Sequence, residues 1–190
     1  GTRDPRQAVV PKKEFLTFWE SVRFFIIYAN IAEFRPSFGA LEPSGDLKPL
    51  DHWLLERTRA FVRDAEAGYE AYMTVDVVRG FVAYLDDLSN WYIRRSRRRF
   101  WNGEPEALAT LWFALVQTLR VMSPILPFVT DRLWRDLVLD GPESVHLARW
   151  PEVAEPDRAL LDEIADVRRV VTLAHQARAT SGLKLRQPLR

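Results

Sequence analysis

Residues 94–99 read RRSRRR, five arginines in six positions, and Trp91 and Trp101 bracket the run. An arginine side chain is a planar, permanently charged fork that grips phosphate oxygens and stacks on flat rings. Indole faces alternating with such forks are surfaces on which unpaired bases can stack while phosphates are neutralised. Like charges at helical neighbour positions destabilise an isolated helix by about a few tenths of a kcal/mol for each i,i+4 pair. Something outside or beside the run must therefore make it tolerable. One reading supplies a polyanion, RNA, contacted by Trp91, Arg94, Arg95, Arg97, Arg98, Arg99 and Trp101. The other supplies carboxylates from the same protein, such as Glu66, Glu70, Asp86 and Asp87, and makes the segment an internal scaffold. A solvated or salt-bridged face is the ordinary fate of a charge run. The density here and the exclusive use of arginine weigh toward nucleic acid.

A helix must carry this cluster. At about 100° per residue, Val77, Phe81, Leu85, Leu88 and Tyr92 form one stripe that faces a core, and the next turns of that stripe reach Arg95 and Arg99. An unpaired guanidinium is too expensive to bury, so either carboxylates meet these two or the helix runs past the core's edge. A second face holds Asp87, Trp91, Arg94, Arg98 and Trp101.

The surrounding pattern is helical nearly throughout, which makes the fold class all-α, an antiparallel helix bundle. The spacing predicts helices over 13–34, 50–71, 74–101 and 105–122, with Asp51 in the first turn of the second, Thr74 as N-cap of the third, and Asn102-Gly103 ending it. Pro105 opens the fourth. Pro124 and Pro127 interrupt the pattern, giving a kinked continuation over 126–139. SVHLARWP at 144–151 is the best extended piece. A trailing helix over 156–180 puts Leu160, Ile164, Val167, Val171 and Ala174 on one side, with Gly182 to close it. The division that follows is a bundle over 1–155 and a long trailing helix over 156–190. Of the seven tryptophans, Trp19, Trp53, Trp112 and Trp134 lie on apolar stripes and belong to the core; for Trp91 and Trp101 core and base stacking weigh equally.

Composition narrows the function classes. A length of 190 residues allows one domain with a real core. No run of eighteen apolar residues could span a bilayer. The first fifteen residues lack an apolar core with a small-residue cleavage site, which with the absence of cysteine fits a cytoplasmic location and excludes disulfides and thiolate metal sites. The net charge of +1 conceals a polarised chain, in which acids at 64, 66, 70, 76, 86 and 87 precede the arginine run. Asp86 and Asp87 are adjacent, point about 100° apart and cannot act as an acid/base pair. His52, His146 and His175 lack partners at metal-ligand spacing, so no catalytic or metal site is expected. A second basic cluster, Arg178, Lys184, Arg186 and Arg190, fits cations at a helix C-terminus. Both ends read as cuts from a longer polypeptide.

LSNWYIRRSRRRFW, residues 88–101, resembles the signature of the anticodon-binding domain of isoleucyl-tRNA synthetases, which are class I aminoacyl-tRNA synthetases. FWESVRFFIIYANI, LDHWLLERT, MSPILPFVTDRLW, SVHLARWP and SGLKLRQPL resemble further segments of that domain, and together they span nearly the whole chain. Valyl and leucyl relatives share the bundle and the W-x-L-x-R helix start, whereas RRSRRRFW after SNWYI is peculiar to the isoleucine family. The resemblance implies a bundle that docks on the anticodon stem-loop of tRNA(Ile). It also implies ATP- and Mg-dependent isoleucine activation in other domains of the parent chain, whose HIGH-like and KMSKS-like motifs are absent here. It makes Arg178, Lys184 and Arg186 part of the RNA-contacting surface. This segment is then expected to bind and position RNA, without a cofactor of its own, and to pack against the catalytic and C-terminal domains.

Overall fold

In a computed structural model, residues 12–181 are described, and they divide into two compact units with the boundary between Pro156 and Asp157. The first unit holds α1 (Lys12–Ile31), α2 (Pro49–Glu70), α3 (Thr74–Asp86), a π-helical segment (Asp87–Ile93), α4 (Arg94–Trp101), α5 (Pro105–Met122) and α6 (Pro127–Leu137). The second is α7 (Arg158–Thr180), opened by Asp157, whose carboxylate accepts the Leu160 N–H at 3.0 Å.

Cross-helix pairs fix the topology. Phe18 meets Phe81, Phe24 meets Phe100 and Trp101 bonds Tyr28, so α1 runs parallel to α3 and α4. Phe61 stacks on Tyr84 at 4.6 Å and Arg57 pairs with Asp87 while Asp51 reaches Tyr92, so α2 runs against them. Lys48 pairs with Glu104 and Tyr69 bonds the Val121 carbonyl, so α5 runs with α2. The result is the expected all-α, up-down-up-down bundle. Its axis is α5: Leu108, Leu111, Trp112, Leu115 and Leu119 are all buried, as an all-round apolar helix must be.

Helix ends follow local chemistry. Pro105 opens α5 and Pro127 opens α6. Gly103, at φ 67°, lets the Glu104 N–H return to the Arg99 carbonyl and terminates α4. Four expectations change, the last being that Trp19 belongs to the core. Met73 and not Thr74 is the N-cap of α3. SVHLARWP is not a simple extended strand, because Ser144 accepts the His146 N–H and winds Val145–Leu147 into a 3-10 turn. The third helix is not one α-helix to Trp101, because the π-helical segment interrupts it. Trp53, Trp112 and Trp134 are core, while Trp19 is half-buried. Gly182, Lys184 and Arg186 lie outside the described residues.

Candidate nucleic-acid interface

The π-helical segment decides where the arginines point. A π turn closes i→i+5 bonds and so takes in an extra residue, rotating everything after it relative to a continuous α-helix. The buried stripe runs Val77, Phe81, Leu85, Leu88 and Tyr92, then continues through Ile93, Ser96 and Phe100. An unbroken α-helix would have carried Arg95 inward. The wide turn puts Ser96 there and leaves Arg94, Arg95, Arg97 and Arg98 exposed. Phe100 seats α4 against its neighbours, with ring centroids 5.2 Å from Phe24 and 6.1 Å from Tyr92.

Arg99 alone of the five turns inward. Its Nη1 and Nη2 donate to Oδ1 and Oδ2 of Asp51 at 2.6 and 2.7 Å, a bidentate fork, and its Nε donates to Glu104 at 2.8 Å. Asp51 is fully buried, 0% exposed. It also accepts the Tyr92 hydroxyl at 2.7 Å and, as a capping group for α2, the Lys48 backbone N–H at 2.9 Å. Glu104 in turn holds Lys48 Nζ at 2.7 Å. Burial alone would raise the Asp51 carboxyl. The bonds from Arg99, Tyr92 and the Lys48 N–H outweigh it and hold that group below the ordinary carboxylate range. Glu104 is likewise lowered, chiefly by Arg99 and then Lys48. Desolvation pushes the Tyr92 phenol well up, reinforced by the Asp51 charge.

The acids upstream are engaged elsewhere. Asp87 pairs with Arg57 at 2.8 Å, Glu66 with Arg63 at 3.3 Å, and Asp86 accepts the Asn90 amide at 2.6 Å. Among the described residues, no carboxylate is paired with Arg94, Arg95, Arg97 or Arg98. The scaffold reading pairs the arginines with acids within the bundle or on a catalytic domain of the same parent chain; of these, pairing within the bundle accounts for Arg99 alone.

The tryptophans take different places. The Arg95 guanidinium lies 3.6 Å from the centroid of the half-buried Trp91 ring, a stack that fixes the plane of the cation. Trp101 is 63% exposed, and its Nε1 donates to the Tyr28 hydroxyl at 2.7 Å, so the ring is tethered by its edge while most of its surface meets solvent. In the second unit, Arg178 falls in the last turn of α7. His52 and His175 are exposed and His146 contacts the Pro127 carbonyl at 3.2 Å. No group of three or more potential metal ligands exists among the described residues, and no helix among them is long and apolar enough to cross a membrane.

Four guanidiniums without a carboxylate partner among the described residues share one face of α4, one of them stacked on an indole, and give this helical bundle a concentrated positive surface of the kind that suits a polyanion. Over residues 51–190 the sequence matches the family described as the anticodon-binding domain of tRNA ligase, and the chain belongs to that family. Similar proteins carry a more specific name. The isoleucine–tRNA ligase of Streptomyces avermitilis is 43% identical over 186 residues, covering 95% of this chain and 18% of that protein. Those of Thermus thermophilus and Treponema pallidum are 41% and 37% identical, covering 92% and 100% of this chain and 18% and 19% of theirs. The chain thus spans about a fifth of the length of these curated relatives.

Proposed function

We propose that these 190 residues are the anticodon-binding part of an isoleucine–tRNA ligase and that they hold the anticodon stem-loop of tRNA(Ile). Arg94, Arg97 and Arg98 neutralise phosphates, Arg95 offers the outer face of its Trp91-backed plane, and Trp101 stacks an unpaired base. Arg99 holds α4 in place and makes no RNA contact. Arg178, Lys184 and Arg186, which the family resemblance adds, are further RNA-contacting residues. ATP- and Mg-dependent aminoacylation belongs to parts of the longer parent chain, which works in the cytoplasm.

The observation that carries this reading is the row of exposed guanidiniums with no carboxylate partner among the described residues. Like charges so close together persist at some loss of stability, and a bound polyanion relieves it. Fluorescence anisotropy with a tRNA(Ile) anticodon stem-loop tests it. Affinity falls steeply with added salt. Arg94→Ala with Arg98→Ala lowers both affinity and the salt slope, by about 0.7 to 0.9 for each phosphate no longer neutralised. Binding indifferent to salt and to both substitutions refutes it.

A further inference from the structure

Beside α4 lies a groove of about 880 Å³ between α1 and the π-helical segment. Lys12, Lys13 and Arg23 border it on the α1 side and Arg97 on the other. Leu16 and Ile27, 47% and 46% exposed, give it an apolar floor. Nothing in the sequence marks such a groove, since α1 reads there as a core helix with incidental charges.

We propose that this groove is the continuation of the RNA-binding surface, a track for one ribose-phosphate strand. In it Lys13 and Arg23 on α1 face Arg97 across the strand. The inference rests on the RNA-binding reading and extends it to a helix that reading leaves out. Three observations carry it. The rim holds four cations against one acid, Glu20, which is 3.8 Å from Arg23, and among the described residues Lys12, Lys13 and Arg97 have no ion-pair partner. Arg97 belongs both to the groove and to the arginine face, so the positive surface is continuous from α1 to α4. α1 and α4 are also parallel, and the exposed Trp101 is bonded to Tyr28, which follows Ile27 at the groove's far end. A strand leaving the groove therefore meets a stacking surface in line with it. Aliphatic side chains between cations suit ribose rings between phosphates, with stacking left to that indole. An acidic-edged protein helix would also suit the charges. It would have no use for the open indole or for the shared row of guanidiniums, which favour RNA.

The test uses the whole 190-residue chain and the tRNA(Ile) anticodon stem-loop, with affinity measured across a salt series. Lys13→Ala with Arg23→Ala is expected to lower the log–log salt slope by roughly 1.4, two phosphates at about 0.7 each, with the unfolding temperature unchanged. An unchanged slope overturns the proposal. Arg94→Ala with Arg98→Ala run in parallel separates the two failures. If those substitutions weaken binding and the α1 pair does not, the groove alone is refuted. If only the α1 pair matters, the groove stands and the role of Arg94 and Arg98 falls. A benzophenone in place of Ile27 gives a second readout that does not depend on electrostatics. Photo-crosslinking to the RNA is expected, and crosslinking to a second protein chain or to nothing overturns the assignment.

Discussion

Asp51→Ala should destabilise the bundle far more than an ordinary carboxylate deletion. The substitution removes both acceptors of the Arg99 fork, the acceptor of the Tyr92 hydroxyl and the cap on the Lys48 N–H. Breaking a buried ion pair from one side costs about 3–5 kcal/mol, because the remaining charge stays buried. Arg99 keeps Glu104, its side chain is still 13% exposed, and Tyr92 keeps a longer bond of 3.3 Å to the Ala107 carbonyl, which points to the lower end. Removing the cap adds about 1 kcal/mol. About 4 kcal/mol in total corresponds to a fall in unfolding temperature of roughly 8–16 °C for a unit of this size. Thermal unfolding followed by far-ultraviolet circular dichroism measures it, with Asp86→Ala as control. The exposed Asp86 is bonded to Asn90 on the next turn, and its loss should stay within about 0.5 kcal/mol. If the two variants melt at nearly the same temperature, Asp51 does not anchor α4 and the account of Arg99 is wrong.

The same network has a pH signature. The Asp51 carboxyl is lowered in the folded state, so its stabilisation is present above the unfolded value of about 3.8 and is lost as pH falls through the folded value. The difference in unfolding temperature between the unaltered chain and Asp51→Asn should therefore be large at about pH 7 and shrink below about pH 4; a difference constant across that range refutes it. Trp101→Ala should weaken stem-loop binding by about 1–3 kcal/mol by anisotropy while leaving the melt nearly unchanged, since the ring is mostly exposed. Equal loss in Arg95→Ala and Trp91→Ala, with no further loss in the double variant, would confirm by a double-mutant cycle that the stacked pair acts as one unit. Gly103→Ala should destabilise by about 1–2 kcal/mol in urea unfolding, because φ is 67° and the added Cβ would lie 3.2 Å from Ala32 Cβ.

What could be read from the chain alone was what local chemistry decides. Pro105, Pro127 and the Asn102-Gly103 pair mark their helix ends directly, and the apolar spacing over 105–122 gives the fourth helix, though not its place at the bundle's centre. The apolar stripe led correctly from Val77 to Tyr92 and then to a dilemma at Arg95 and Arg99. Its two horns turned out to apply to different residues. Arg95 is outside because of the wide turn at Asp87–Ile93, and no residue in DLSNWYI signals such a turn by propensity. Arg99 is inside because Asp51, 48 positions earlier, meets it. That partner was visible as a good first-turn acid of α2, but no local rule links a helix cap to a cation two helices away. Lys13 and Arg23 are hidden in the sequence for the same reason, since only packing places them opposite Arg97.

The inward arginine and the outward ones are two halves of one device. A helix bearing five guanidiniums has no apolar side chain of its own with which to grip the bundle, apart from Phe100. Ser96 is too small to anchor it, and the remaining positions are charged or, like Trp101, open to water. Hydrophobic burial alone would leave such a helix free to rotate or fray. The Asp51–Arg99 fork supplies what area cannot: it is directional, it fixes rotation about the helix axis, and Tyr92 and Glu104 brace it from either side. Because a bidentate pair holds a plane and not just a distance, Arg99→Lys should keep the charge yet lose the orientation. The expected result is a chain that folds with nearly the same helix content but binds the stem-loop more weakly. Asp51→Asn sharpens the distinction. Deleting an anion near an RNA site strengthens binding if electrostatics alone matter, and weakens it if Asp51 acts by holding Arg94, Arg97 and Arg98 in register. Tighter binding in Asp51→Asn would show that the fork has no part in arranging the interface.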